Sequence, residues 1–259
     1  MDVESKLYAE ERRHLIVQMA REVGRVEVSR LAERFAVTPE TVRQDLNALQ
    51  RSGLLKRMHG GAVPLERSLY EARVSDRREF SAEKDSIATA AVSLLPHDGS
   101  VFLESGSTST FLAERIPPGR TLTVFTNSLP IALLLAPRPD LTVITLGGRV
   151  RSVTLGEVDN FAIRSLRDIH VDVAFLGTNG ISTQHGLTTP DQSEADFKRE
   201  TLRVGETTVL LADRTKLGQA SVWRYGDLDA IDVLVTSPHA DKRLLADAGA
   251  SIGRVMLAD

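Results

Sequence analysis

Arg43, Gln44 and Asn47 stand close together in the stretch VTPETVRQDLN, Val37 to Asn47. Their side chains suit the reading of base edges: Arg offers a donor fork to guanine, and Gln or Asn pairs a donor and an acceptor with adenine. Glu40 and Arg51 lie on the same polar side, and Thr41 flanks it. A little farther on, Lys56, Arg57 and His59 carry donors suited to phosphate oxygens. A second set is spread over the rest of the chain: Ser105-Gly106-Ser107-Thr108-Ser109, Asn127-Ser128, Gly147-Gly148-Arg149, Thr178-Asn179-Gly180 and Asp213-Arg214-Thr215-Lys216. The SGSTS piece precedes a helical pattern, so its N–H groups and hydroxyls can hold an anion such as phosphate. Lys216, Arg149 and Arg151 would add positive charge.

The first set must be positioned by short helices. Apolar spacing predicts one over about Glu10 to Glu22, stopped by Gly24. A short extended RVEV follows. Ser29 is expected to cap a second helix with Leu31, Ala32 and Phe35 on its apolar face, and AVT makes a tight turn. The third helix opens with Thr38 as N-cap and Pro39 at the first helical position, where its missing N–H is no loss. Val42, Leu46 and Leu49 share one stripe toward the other helices, which leaves Glu40, Gln44, Asn47 and Arg51 outward. LLKRMHGGAV then reads as a hairpin, or wing, about a Gly60-Gly61 turn. A helix-turn-helix reads bases from the N-terminal part of its second helix. Three small helices of this spacing also occur in protein-binding modules, and pattern alone does not separate the two.

The segment VEVSRLAERFAVTPETVRQDLNALQRSGLLKRMHGGAV resembles the winged helix-turn-helix of the DeoR family of bacterial sugar-metabolism regulators. Phe35, Val37, Thr41, Arg43, Asp45 and Leu46 match that pattern, as do Gly53, Leu55, Arg57, His59, Gly60, Gly61 and Ala62. The resemblance implies that double-stranded operator DNA is the partner. Thr38 replaces the usual Ser and keeps a cap. Gln44 replaces a second Arg, a change at one basic contact that bears on the preferred operator.

Residues 66–82, ERSLYEARVSDRREFSA, are charge-dense and read as a linker. It separates a DNA-binding domain, 1–65, from a second domain, 83–259. There, short apolar strands alternate with helices, which predicts a mostly parallel sheet covered on both faces. The second set of residues falls just after successive strands, at the carboxyl edge where open α/β sheets bind ligands. Taken singly, the Ser and Thr are ordinary caps and the Gly and Asn ordinary turn residues; the shared position makes the set stronger than its members. This half resembles the DeoR-type sensor domain, a Rossmann-like fold related to ribose-5-phosphate isomerase. The resemblance rests on Glu83-Lys84, Ser105 to Thr108, Thr126-Asn127-Ser128, Gly147-Gly148, Phe175-Leu176-Gly177 with Gly180-Ile181, and Asp213 with Lys216 and Gly218. It implies a phosphorylated sugar effector and adds Glu104 and Gly177 to the ligand set. Glu104 stands where the family has Asp, a longer carboxylate that would crowd or shift a ligand hydroxyl contact.

Composition narrows the classes. The 259 residues are 42% hydrophobic and 26% charged, ordinary for a globular chain. There is no Cys, so disulfides and thiolate metal sites are excluded. No apolar run approaches the roughly 20 residues of a membrane span, and the polar start is no signal peptide, so a cytoplasmic protein without membrane contact is expected. Net charge is −3, unevenly placed: residues 1–65 hold 11 Lys/Arg and 9 Asp/Glu, whereas the remainder holds 21 and 26. Within 41–60, Arg43, Arg51, Lys56 and Arg57 face only Asp45. The six His are scattered without metal spacing, and no P-loop, GxSxG or HExxH motif occurs, so neither metal nor cofactor is expected. The isomerases that the second half resembles place acids in the loop where this chain has GTNGI; enediol chemistry needs a carboxylate base there, and Thr178, Asn179 and Gly180 supply none. The sequence therefore reads as a regulator, expected to be a repressor working as a homodimer or homotetramer. A sugar-phosphate isomerase or deaminase with an accessory domain is the alternative, and a regulator served by a co-repressor a third reading.

Overall fold

The computed structural model describes residues 9–23, 25–51, 54–58, 60–64, 71, 74 and 80–258. His59, Gly24, Gly53 and most of the sequence-assigned linker lie outside them. The chain divides into two compact units, Met1–Tyr70 and Glu71–Asp259.

The first unit runs α1 (Ala9–Val23), β1 (Val26–Glu27), α2 (Val28–Arg34), α3 (Pro39–Arg51), β2 (Leu55–Met58) and β3 (Gly61–Pro64). Ile16, Val17 and Ala20 of α1, Leu31 and Ala32 of α2, and Val42, Leu46 and Leu49 of α3 close one core with Leu55 and Ala62. The start of α3 is as the sequence predicts: Thr38 Oγ1 accepts from Thr41 N at 3.1 Å. Thr38→Ala is expected to lower this unit's stability by about 1 kcal/mol in urea unfolding; an unchanged midpoint would remove the cap from the account.

Two local expectations are corrected. Ser29 does not cap α2: Glu27 is the N-cap, without a side-chain bond, and Ser29 lies inside the helix. The helix starts early because the RVEV strand ends after two residues, where Val28 N bonds Gly60 O at 2.9 Å. The wing turn also differs: Met58 pairs with Gly61, so Gly61 lies in the strand and, of the two glycines, only Gly60 stands in the turn, with a positive φ of 74°. Gly61 belongs to β3, pressed between β1 and β2, where a Cβ would overlap the Val26 carbonyl.

The second unit contains α4 (Ser81–Ala91), β4 (Asp98–Leu103), α5 (Ser107–Glu114), β5 (Thr121–Thr126), α6 (Leu129–Leu135), β6 (Leu141–Thr145), β7 (Val150–Arg151), β8 (Gly156–Glu157), α7 (Asn160–Arg167), β9 (Val171–Gly177), β10 (Gly180–Ser182), β11 (Gly186–Thr189), α8 (Gln192–Thr201), β12 (Gly205–Leu211), β13 (Trp223–Gly226), β14 (Val233–Thr236), α9 (Lys242–Gly249) and β15 (Arg254–Leu257). Seven strands form one parallel sheet in the order β15-β14-β12-β9-β4-β5-β6. Strand residues alternate between two cores. Val101, Leu103, Val173, Phe175, Val209 and Leu211 pack with Ile87, Leu112 and Ile131 of α4 to α6. Phe102, Ala174, Leu176 and Leu210 pack with Leu166, Phe197 and Ala248 of α7 to α9. Both faces are thus covered by helices, as short uninterrupted apolar strands require.

From β4 the chain proceeds to β5 and β6 on one side, while β9, β12, β14 and β15 extend the other way. The β4–β9 boundary is therefore the topological switch point, the place beyond the strand ends where open α/β sheets bind ligands. Sequence reading missed the β7–β8 hairpin and the antiparallel sheet β10-β11-β13. Among the described residues no helix is long and apolar enough to cross a membrane.

Candidate functional sites

In the first unit, α3 presents one face to solvent. Glu40, Arg43, Gln44, Asn47 and Arg51 are exposed, and Thr41 is half-buried. Arg43 pairs with Glu40 at 3.2 Å. Asp45, which also falls in the family pattern, points inward: it is 1% exposed and accepts from Arg12 at 2.6 Å and Arg13 at 2.8 Å. It ties α3 to α1. On the wing, alternation places Leu55 and Arg57 on the helix-facing side of β2, with Lys56 and Met58 exposed on the other. Arg57 turns back onto α3, where its Nη1 donates to Arg43 O and Asn47 Oδ1, each at 3.2 Å.

In the second unit, the loops holding the remaining nominated residues all follow parallel strands and emerge at one edge. Glu104 lies at the switch point, 1% exposed. Its Oε2 accepts from Lys198 Nζ at 2.7 Å and Gly177 N at 2.8 Å. Lys198 also donates to Gly177 O at 3.0 Å and lies 5.5 Å from the Tyr225 ring centroid, while the Tyr225 hydroxyl donates to Gly177 O at 3.3 Å. Burial opposes the Lys198 charge, but facing Glu104 outweighs it and raises its pKa. Burial, with Glu104 adding to it, pushes the Tyr225 hydroxyl up to about 12. The switch point thus holds a buried ion pair clamped to the end of β9.

Beside it, Ser105 N donates to Asn127 Oδ1 at 2.8 Å. Gly106 precedes α5, whose first turn, Ser107, Thr108 and Ser109, has no side-chain cap. Ser109 is 1% exposed, and its hydroxyl has no partner among the described residues. Asn127 is an internal brace, also donating to Glu157 O at 3.1 Å, and Ser128 caps α6 through Ile131 N. Gly147 and Gly148 adopt φ of 78° and 105°, where L side chains are strained. Gly147 N donates to Glu157 Oε2 at 2.9 Å. Thr178 closes its own loop, accepting from Gly180 N and donating to Gly180 O at 3.0 Å. The Asn179 amide oxygen and a Glu194 oxygen each lie 3.2 Å from the Thr189 hydroxyl. Asp213 caps the turn Arg214–Lys216 through Thr215 N, and Lys216 Nζ lies 3.9 Å from its other oxygen.

Arg151 departs most from expectation. It is not a free cation: Glu71 at 2.6 Å, Glu194 at 3.1 Å and Asp191 at 3.3 Å surround it. Arg149 remains exposed, with Ser193 Oγ at 3.3 Å. Sequence reasoning missed Lys198, Glu194, Tyr225 and Glu157. The available signal was EADFKRET, where Glu194 and Lys198 fall on the same helix side as Ala195, Phe197 and Thr201, all buried. Such i,i+4 charges usually mark a solvated face. Two clefts, of about 580 Å³ between α7 and α8 and about 320 Å³ beside Phe80 and His239, contain none of the nominated residues. Arg167 and Arg199 in the larger one are paired with Glu200 and Asp196.

Burial pushes the Glu157 carboxyl above its usual value of 4.5, with Asp159 adding to the shift against N–H bonds from Gly147 and Leu146. Its contribution to stability is greatest below that value and is lost as pH rises through the folded pKa. Glu157→Gln keeps an acceptor for Gly147 N. It is expected to raise stability at pH 7 and leave it nearly unchanged at pH 4, as read by urea unfolding at both pH values. A variant less stable at pH 7 would contradict this.

A winged helix-turn-helix joined to a doubly covered parallel α/β unit defines a DNA-binding transcriptional regulator with a sensor domain. Residues 12–68 match the DeoR-like helix-turn-helix domain, and residues 79–238 match the DeoR C terminal sensor domain. The chain belongs to the DeoR family. It is 32% identical over 232 residues to the HTH-type transcriptional regulator GlpR of Haloferax volcanii, covering 89% of this chain and 91% of that one. It is 31% identical over 244 residues to the HTH-type transcriptional regulator GolR of Listeria innocua, covering 92% and 96%. The glycerol-3-phosphate regulon repressor of Escherichia coli is 28% identical over 227 residues, covering 87% and 90%. Ribose 5-phosphate isomerase A of Methanocaldococcus jannaschii aligns in structure with a TM-score of 0.40 at 17% identity, over 53% of this chain and 55% of that one.

Proposed function

We propose that the chain represses a carbohydrate-metabolism operon from the cytoplasm, and that a phosphorylated sugar releases it from the operator. The α3 face, Thr38, Glu40, Thr41, Arg43, Gln44, Asn47 and Arg51, meets the major groove, and Lys56 and His59 of the wing meet phosphates. The observation that carries the effector reading is the start of α5: first-turn amides without a side-chain cap beside the buried Ser109 hydroxyl, which has no partner among the described residues, at the edge of the switch point. Amides at a helix N-terminus with a hydroxyl beside them suit a phosphate group. Arg149 and Lys216 supply charge at the same sheet edge. The name of the Escherichia coli relative supports a phosphorylated polyol or sugar.

Catalysis is not part of this reading. The carboxylates at the switch point are held by cations, Glu104 by Lys198 and Glu194 by Arg151, so neither is a free base beside a substrate carbon. Release requires the effector to bind the DNA-free state better than the DNA-bound state. A homodimer or homotetramer fits, because one winged domain reads one half-site.

The test is binding to a labelled fragment from upstream of the chain's own operon, at fixed salt, titrated with a panel of sugar phosphates. Tight binding released by one compound supports both halves of the proposal. Turnover of ribose 5-phosphate or glucosamine 6-phosphate would overturn the non-catalytic reading. Arg43→Ala is expected to weaken operator binding by about 1–3 kcal/mol; unchanged affinity would remove Arg43 from base contact.

A further inference from the structure

We infer that Arg57 is a positioning residue that fixes which hydrogen-bonding group Asn47 offers to DNA, rather than a phosphate contact. The inference rests on the operator-binding role of α3. Arg57 shares the face of β2 with Leu55, whose side chain is wholly buried in the core beneath α3. Its guanidinium Nε is shielded from solvent, and its Nη1 donates to Arg43 O and Asn47 Oδ1, each at 3.2 Å. Its own N–H donates to Gln50 Oε1 at 3.0 Å, which holds the strand against the helix. Arg43 and Asn47 are one helical turn apart, so one guanidinium spans one turn of the recognition face.

The consequence follows from donor chemistry. A guanidinium donates and cannot accept. The Asn47 amide must therefore turn its oxygen toward Arg57 and its Nδ2 hydrogens outward. Free Asn can pair both groups with adenine N6 and N7. Asn47 held in this way keeps its oxygen turned toward Arg57 and presents its Nδ2 donors to the groove. It favours bases with acceptors on the major-groove edge, namely guanine, thymine and adenine N7, and rejects cytosine, whose edge offers the N4 donor. Arg57 thus sets specificity without touching DNA. The phosphate charge of the wing comes from Lys56, exposed on the opposite face of β2.

The experiment selects preferred sites from a random duplex library with the full-length chain, in parallel for wild type, Arg57→Met, Arg57→Lys, Asn47→Ala and Lys56→Ala. Affinity for the wild-type consensus is then measured at several salt concentrations. One base position is expected to exclude cytosine in wild type and to lose that exclusion in Asn47→Ala, Arg57→Met and Arg57→Lys alike. The slope of log affinity against log salt should stay at the wild-type value in both Arg57 variants and fall by about one in Lys56→Ala. The Lys variant keeps the charge but lacks the guanidinium whose Nη1 reaches both Arg43 O and Asn47 Oδ1, so it separates positioning from charge even if the Met variant folds poorly. The proposal is overturned if Arg57→Met lowers the salt slope by about one with base preferences intact and Arg57→Lys restores it. It is equally overturned if Asn47→Ala leaves every preference unchanged. A wild-type chain that enriches no sequence overturns the operator reading itself.

Discussion

Lys198→Met is expected to lower the unfolding free energy of the second unit by about 3–5 kcal/mol, the usual range when one partner of a buried ion pair is removed. The ammonium is 8% exposed and the Glu104 carboxylate 2%, so solvent screens neither. Met fills most of the volume but leaves Glu104 Oε2 with the Gly177 N–H and without its cation. The partner substitution separates charge from packing. In Glu104→Gln combined with Lys198→Met, the amide oxygen can still accept from Gly177 N while no unpaired charge remains. Neutral replacement of a buried pair is often close to neutral in stability. The double variant is therefore expected to recover most of the loss, giving a strongly non-additive cycle in urea unfolding. A single variant within about 1 kcal/mol of wild type, against the range given, would mean that water already reaches this pair.

That pair also marks where local sequence reasoning stops. The α3 helix was readable almost residue by residue, because its cap, its Pro and its 3.6-residue stripe are all local signals. The parallel sheet was readable too, since strands covered on both faces must be apolar throughout, as VFL, VAFL and VLL are. The collection of small polar residues after successive strands followed from that topology. What those residues touch did not follow. Glu104 and Lys198 are 94 positions apart, and Arg151 meets Glu71 across 80; no periodicity links such partners. The β10-β11-β13 sheet escaped because its strands have only three or four residues, two of them opening on glycine. Arg57 is different: alternation along Leu55-Lys56-Arg57-Met58 already placed it on the inward face with Leu55. A grouping by charge alone put it with Lys56 and His59.

Asp45→Asn gives the corresponding prediction for the first unit, and there two effects oppose each other. Asp45 is the lone acid among residues 41–60, so removing its charge makes the DNA-facing region more positive. At the surface one such change is worth about 1 kcal/mol or less, and it would favour phosphate binding. Asp45 is not at the surface, however. It is 1% exposed and bridges Arg12 and Arg13 of α1 to the middle of α3. Asn has one acceptor oxygen and no charge, and leaves Arg12, itself 8% exposed, without the carboxylate it faces at 2.6 Å. The expected loss is about 1.5–3 kcal/mol, the range for a hydrogen bond to a charged group, a large share of the stability of a domain this small. Structural loss therefore wins over the electrostatic gain. The variant is expected to shift the first unit's unfolding transition to lower urea and to weaken operator binding together, while the second unit's transition stays at the wild-type midpoint. Tighter DNA binding with both transitions intact would show that Asp45 acts through charge and not as the bolt between α1 and α3.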